Sequence, residues 1–243
     1  MAPLESHRAN DLGPLAATER RLLDAGLVLA GSAAALQTVV HLLNAAFLHK
    51  PQLNVNLEHN VFAWAGTVSS FAVAFVALLA AVALTRGRTP YLVLALVVGF
   101  FSLDDMVQIH ERIGADAAGA LGLPEWFDSV LWPAIYVPLL ATAVALMLSL
   151  ARHAPARPRR LIYLALVSLL VAVAAEVVSA EWSGSATAWP HQIEGAFEEA
   201  AELAAWILIA AALTVIAARD VLRDAAPTLE GDSGRPGAQS TVK

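Results

Sequence analysis

Four ionisable side chains fall within eight residues of otherwise apolar sequence: Asp104, Asp105, His110 and Glu111, in the string SLDDMVQIHE that begins at Ser102. A second acidic group, Glu198, Glu199 and Glu202 in the spacing EE-x-x-E, lies near the start of the last apolar run. Other apolar runs carry His41 with Gln37 and Asn44, and Glu176, while the last run opens with His191 and Glu194. An ionisable group in hydrocarbon is unfavourable by about 2.5–3.5 kcal/mol on insertion scales, so its repeated use marks chemistry. Carboxylates without neighbouring cations persist in three ways. They can hold protons, because burial and mutual repulsion oppose a second charge. They can face a water-filled vestibule. They can hold a divalent metal ion, which brings the missing positive charge.

Oxygen and imidazole donors without sulfur suit Fe, Mn, Zn, Mg or Ca. Helix bundles build such sites from carboxylates and histidines on facing helices. The Glu-x-x-His spacing of di-iron bundles is absent, and only His191-x-x-Glu194 and Glu199-x-x-Glu202 occur. The metal expectation therefore rests on convergence. With no cysteine, thiolate sites, disulfides and cysteine nucleophiles are excluded.

The elements that must position these residues are membrane helices. The chain has 243 residues, 58% of them hydrophobic and only 15% charged. Its mean hydropathy is +0.63. A soluble domain carries about 25% charged residues. Apolar runs of about 20 residues, the length that spans the hydrocarbon, predict spans near 22–48, 61–85, 90–112, 129–151, 161–180 and 191–218. The expected fold is all-α, a polytopic six-helix membrane bundle with both termini cytoplasmic. Residues 1–20 read as a flexible cytoplasmic tail, 21–220 as the six-span domain, and 221–243 as a disordered cytoplasmic tail. With the N-terminus inside, only Lys50 and Arg112 of the 15 Lys and Arg fall on the outer side, which fixes the orientation. The expected location is the plasma membrane.

That topology gathers the acids outside. At about 1.5 Å per residue, Asp104 lies roughly 10 Å below the outer end of the third span. Glu198 and Glu199 lie at similar depth in the sixth, and Glu202 lies deeper still. On the third span Asp104, Gln108 and Glu111 share one face. The expectation is an outward-opening acidic pocket. Asp104, Asp105, Glu198 and Glu202 are its candidate catalytic groups, and His110, Glu111, Glu199, His41, Glu176 and His191 its candidate metal ligands. Glu58, Asn60, Trp64 and Gln108 are candidate substrate-binding or gate residues.

Plainer roles stand beside these. His41, Gln37 and Asn44, spaced i, i+4, i+7, can be interhelical hydrogen-bond partners. Glu111 can be a solvated helix end, and Glu194 can favour a helix N-terminus. Trp126, Trp132, Trp182 and Trp189 fit an interfacial belt.

The chain resembles a family of uncharacterised bacterial multi-pass membrane proteins with an E-x-N segment before the second span, an SLDE-x5-HE-like segment ending the third, and an EE-x-x-E segment opening the last. The matching residues are Glu58 and Asn60; Ser102, Asp104, Asp105, His110 and Glu111; and Glu198, Glu199 and Glu202. Asp105 stands where the family has glutamate. The resemblance supports the choice of residues and implies no activity.

The first expectation is a membrane enzyme with an outward-facing carboxylate/histidine site, holding a divalent metal and acting on a lipid or other apolar small molecule. An alternative needs no metal and uses a protonated carboxyl, in the manner of small membrane terpene cyclases, which the chain is similar to in length and buried acids. A cation or proton transporter is a third reading, opposed by inner span halves nearly free of ionisable residues. The partners expected are the lipid bilayer and an apolar substrate, with no nucleic acid.

Overall fold

The computed structural model describes residues 4–56, 60–124, 127–180 and 189–226, and for 4–14, 129, 176 and 178–180 the backbone alone. Among the described residues the chain is helical and carries no strand. Helix α1 spans Leu4–Leu43, α2 Val61–Ala83, α3 Thr89–Val107, α4 Ile109–Leu121, α5 Asp128–Arg152, α6 Ala156–Ala180 and α7 Trp189–Ala225. Six of the seven are long and apolar enough to cross a membrane, all but α4. The protein is a multi-pass membrane helix bundle.

Helix α7 is the centre of that bundle. Of its most apolar window 61% is buried, against 22–33% in the other five spans, and α1, α2 and α6 pack along it. The core follows the membrane rule that small residues bring helices together while large apolar ones face lipid. Ala74, Ala77, Ala80 and Ala81 of α2 and Ala205, Ala212 and Ala217 of α7 are buried, whereas Leu36, Val82, Leu96 and Leu170 stand outward. At Gly26 α1 approaches α7 closely: a Cβ there would lie 2.5 Å from the Ala211 Cβ.

Polar ties fix the two ends of the α1–α7 pair. At one end Arg219 clasps Glu19 with a two-pronged guanidinium, at 2.7 and 2.5 Å. Arg157 pairs with Asp24 nearby. Tyr91 donates to Asp220 at 2.7 Å. At the other end His41 meets the carbonyl of Gln192.

Three expectations change. First, α1 begins at Leu4, so residues 4–20, read as a flexible tail, continue the first span, and Glu19 is anchored to α7. The disordered tail expected at 221–243 lies outside the described residues from 227 onward, while 221–225 still belong to α7. Second, the first span leaves α-geometry at Asn44. A π-helical turn over Asn44–Leu48 ends at His49, whose φ of 53° is left-handed. The Asn44 amide locks this exit, donating to the carbonyl of Lys50 at 3.0 Å and accepting from its N–H at 2.7 Å.

Third, the stretch 90–112 is not one helix. It breaks at Gln108, φ 57° and ψ 45°, a left-handed position unusual for a side chain other than glycine. The cause is local. Gln108 makes no side-chain cap for α4. Asp104 substitutes for it from the previous helix, its Oδ1 accepting the backbone N–H of His110 at 2.9 Å. An acidic side chain bonded to the second N–H of a helix is an N-cap in all but sequence position. Asp104, Gln108 and Glu111 therefore do not form the single face of a continuous helix.

Candidate functional site

Asp104 is 5% exposed and sits where α3, α4 and α5 meet. Its carboxylate accepts from three donors. Besides the backbone N–H of His110, Oδ2 takes the ring Nδ1 of His110 at 2.8 Å, and Oδ1 takes the phenol of Tyr136 at 3.0 Å. A carboxylate is acceptor-only, so Nδ1 is the ring nitrogen that carries the proton. In the neutral form of the ring this leaves the lone pair on Nε2. Trp132, one turn before Tyr136 on α5, lies 4.7 Å from the His110 ring, centroid to centroid. The two aromatic residues and the carboxylate hold the imidazole in one orientation.

Asp105, the next residue on α3, turns to the opposite neighbour. Its Oδ2 accepts the hydroxyl of Thr67 on α2. The same α2 turn is tied to α3 by Ser102, which donates to the Thr67 carbonyl at 2.9 Å. From the far side α7 brings Glu202, whose Oε1 accepts the indole N–H of Trp206 at 3.0 Å. Glu202 is within electrostatic reach of both Asp105 and His110. The site thus combines an oriented imidazole with the carboxyls of Asp105 and Glu202, at the meeting of α2, α3, α4, α5 and α7.

The other candidate residues occupy different surroundings. Glu198 and Glu199 are half-buried on α7, the turn before Glu202. Glu111 is 47% exposed, with Oε1 3.9 Å from His110 Nε2, and receives the amide of Gln108 at 3.3 Å. His191 stands beside Glu194, with Nδ1 and Oε2 3.8 Å apart. Asn60 is the N-cap of α2, accepting from the N–H groups of Phe62 at 2.6 Å and Ala63 at 3.0 Å. Trp64 is exposed on the flank of α2. Trp189 is exposed at the start of α7, whereas Trp132 packs on the imidazole. Glu58 lies outside the described residues, as do Trp126 and Trp182, and Glu176 is placed on α6 by backbone alone.

His41 is fully buried, and both of its ring nitrogens are used inside the fold. Nδ1 accepts the N–H of Val55 at 3.2 Å, so Nε2 carries the proton and donates to the Gln192 carbonyl at 3.1 Å. That is the interhelical bonding role, and it leaves no lone pair for a metal. Among the described residues no three His, Asp or Glu side chains come together in a way that could hold a divalent ion.

Tyr136, Thr67, Trp132 and Trp206 join the site without having stood out in the sequence as site residues. Tyr136 carries a signal, because a phenol inside an apolar span needs a partner when buried, and it lies one helical turn after Trp132. Thr67 carries none, since a lone threonine in a span commonly bonds its own helix.

The chain matches, over residues 22–216, the family model described as a domain of unknown function, DUF8692. The chain belongs to this family. The match covers all of the second to fifth spans and most of the first and last. Neither a curated protein nor a solved structure matches the chain. The family description carries no activity, so the chemistry rests on the site.

Proposed function

We propose that the protein is an integral membrane enzyme that acts on a lipid or other apolar small molecule by acid–base chemistry. His110 is its proton-transfer group, through Nε2. Asp104 and Tyr136 are positioning residues, and Asp105 and Glu202 form the carboxyl pair that supplies or receives the second proton. The observation that carries this reading is the Asp104–His110 pair, part-buried and supported on three sides. A carboxylate that fixes the Nδ1–H tautomer of a histidine sets Nε2 up as a base. An oriented base facing a carboxyl suits proton shifts, additions and eliminations at an alkene, epoxide or carbonyl. The charge bias of the loops supports an orientation with the site toward the extracytoplasmic side.

Transport is disfavoured by the stretch of α7 beyond Glu202. Leu203, Leu208, Ile209, Ala212, Leu213, Val215 and Ile216 are all buried in the apolar core, a poor path for an ion. A metal-dependent form of the enzyme has one observation in its favour. A carboxylate bound to the far nitrogen of a histidine is the arrangement that commonly supports a metal-ligating imidazole.

The test is a comparison of membranes from cells producing the full-length protein, its His110→Asn variant, or neither, by untargeted mass spectrometry of apolar extracts. At least one species should depend on the intact protein and vanish in the variant. Identical profiles in all three would refute an enzyme using His110. Elemental analysis of the purified protein decides between the two forms, since a stoichiometric metal lost with His110→Asn would replace the metal-free mechanism.

A further inference from the structure

Among the described residues, four buried side-chain polar atoms have no hydrogen-bond partner: Gln37 Nε2, Gln37 Oε1, Asn56 Nδ2 and Glu194 Oε1. Folded chains leave few such groups, and each calls for an explanation. All four are on residues next in the chain to, or one helical turn from, those that join the end of α1 and the segment 54–56 to the start of α7. Gln37 is 2% exposed and lies one helical turn from His41 on the same face of α1. His41 is bonded to Val55 and to Gln192. Asn56 is next to Val55 in the chain, and its side-chain oxygen rests on Gly195 so closely that a Cβ could not be added there. Glu194 adjoins Gly195. Interpolating between the contacts Gly26–Ala211 and His41–Gln192 sets Gln37 level with Phe197 of α7. That is about 7–8 Å along the helix from Glu202, and Glu194 is about 12 Å from it.

The donors and acceptors identify what fits. Two amide NH2 groups face the seam with two oxygens, one of them a carboxyl oxygen. An anion is opposed by Glu194, with Glu198 and Glu199 on the next turn. A cation would leave the amide donors facing it. A neutral hydroxyl, which donates and accepts at once, answers both kinds. The flanks of the seam are apolar and outward-facing, with Leu36, Ile193 and Phe197 all more than half exposed, so the hydroxyl arrives on a hydrocarbon body. We propose that Gln37, Asn56 and Glu194 form a subsite for the hydroxyl of an apolar alcohol, roughly two helical turns from Glu202. This rests on the enzymatic reading above and narrows its substrate to a hydroxyl-bearing amphiphile.

The experiment uses the purified full-length protein in detergent, with dodecan-1-ol, its methyl ether and free glycerol as probes. Binding is read from the shift in Tm and from tryptophan fluorescence. Dodecan-1-ol should bind saturably. The ether, which cannot donate, and Gln37→Leu should each weaken binding about tenfold or more, the loss expected for a buried hydrogen bond. The unliganded Gln37→Leu variant should be no less stable than the parent, because it removes an unpaired amide. Equal binding of alcohol and ether, or an unchanged affinity in Gln37→Leu, would overturn the proposal and leave an internal water as the partner of these atoms. Glycerol binding as tightly as dodecanol would overturn the apolar assignment. If Gln37→Leu does not fold, Asn56→Ala carries the same expectation and the same refutation. Should the alcohol bind in a Gln37-dependent way while no species depends on His110, the subsite stands and the catalytic reading fails.

Discussion

Asp104→Asn isolates the feature on which the catalytic reading depends. The substitution keeps size and shape, and the amide oxygen can still accept from the His110 backbone N–H at 2.9 Å and the Tyr136 hydroxyl at 3.0 Å. Only the third contact changes, the one from Nδ1 at 2.8 Å. There an NH2 would face the ring N–H, two donors in opposition. The ring relieves this by moving its proton to Nε2, which turns Nδ1 into an acceptor and removes the lone pair from the nitrogen assigned to catalysis. A charge-assisted bond is exchanged for a neutral one, so stability should fall by about 1–2 kcal/mol. Activity should fall by about 10²- to 10⁴-fold, the usual contribution of a positioned acid–base group. The assay is the two-bond ¹H–¹⁵N correlation spectrum of histidine-labelled protein at about pH 8, where an ordinary histidine is neutral, with the His110 signals assigned by their loss in His110→Asn. The parent should display the Nδ1–H tautomer and Asp104→Asn the Nε2–H tautomer. The reasoning is refuted if the two proteins share one tautomer, or if the parent already carries its proton on Nε2.

Three further outcomes test the fold around the site. Gly26→Val should force α1 away from α7, since the first added carbon already falls 2.5 Å from the Ala211 Cβ; a destabilisation of about 1–3 kcal/mol is expected, with partial rescue by Ala211→Gly in thermal melts. His41→Leu should leave the Val55 N–H unpaired in the interior and remove one bond to the Gln192 carbonyl, at about 1–3 kcal/mol for the lost N–H partner, and should speed hydrogen exchange at Val55 without removing a metal. A double-mutant cycle on Glu19 and Arg219 should return a coupling of about 1 kcal/mol, at the upper end for a partly exposed pair because the contact is two-pronged. No coupling would mean that the start of α1 is not held against α7.

The spans were legible because hydrocarbon imposes a length and a composition that few other environments impose, and α2, α5 and α7 begin within two residues of where hydropathy put them. The face made by Gln37, His41 and Asn44 was legible for a similar reason. Three polar residues at helical spacing in an apolar run must turn inward together, and all three are buried. The length of α1 was not legible. Residues 4–20 have the polarity of a tail, and what anchors their end is Arg219, 200 residues away in sequence. Nor could sequence foresee that His41 is consumed by backbone groups, because neither Val55 nor Gln192 announces itself as a partner of a histidine. Tyr136 and Thr67 join the site from spans whose own patterns are simply apolar.

The break at Gln108 is the point at which helical phase misleads and the chemistry begins. On an unbroken helix, residues six apart are separated by about 600°, which places them some 120° away from each other around the axis and roughly 9 Å along it. Asp104 and His110 could not then share a hydrogen bond. The left-handed turn folds the chain back so that the carboxylate of one helix caps the next and grips its imidazole. The bonds that Asp104 makes where α3 stops therefore also start α4 and orient His110. Neither proline nor glycine stands at the break, because the signal that stops the helix is the acid itself. The unfavourable backbone conformation at Gln108 persists because what surrounds it over-determines it. That is the physical sense in which SLDDMVQIHE is a site and not merely a charged helix end.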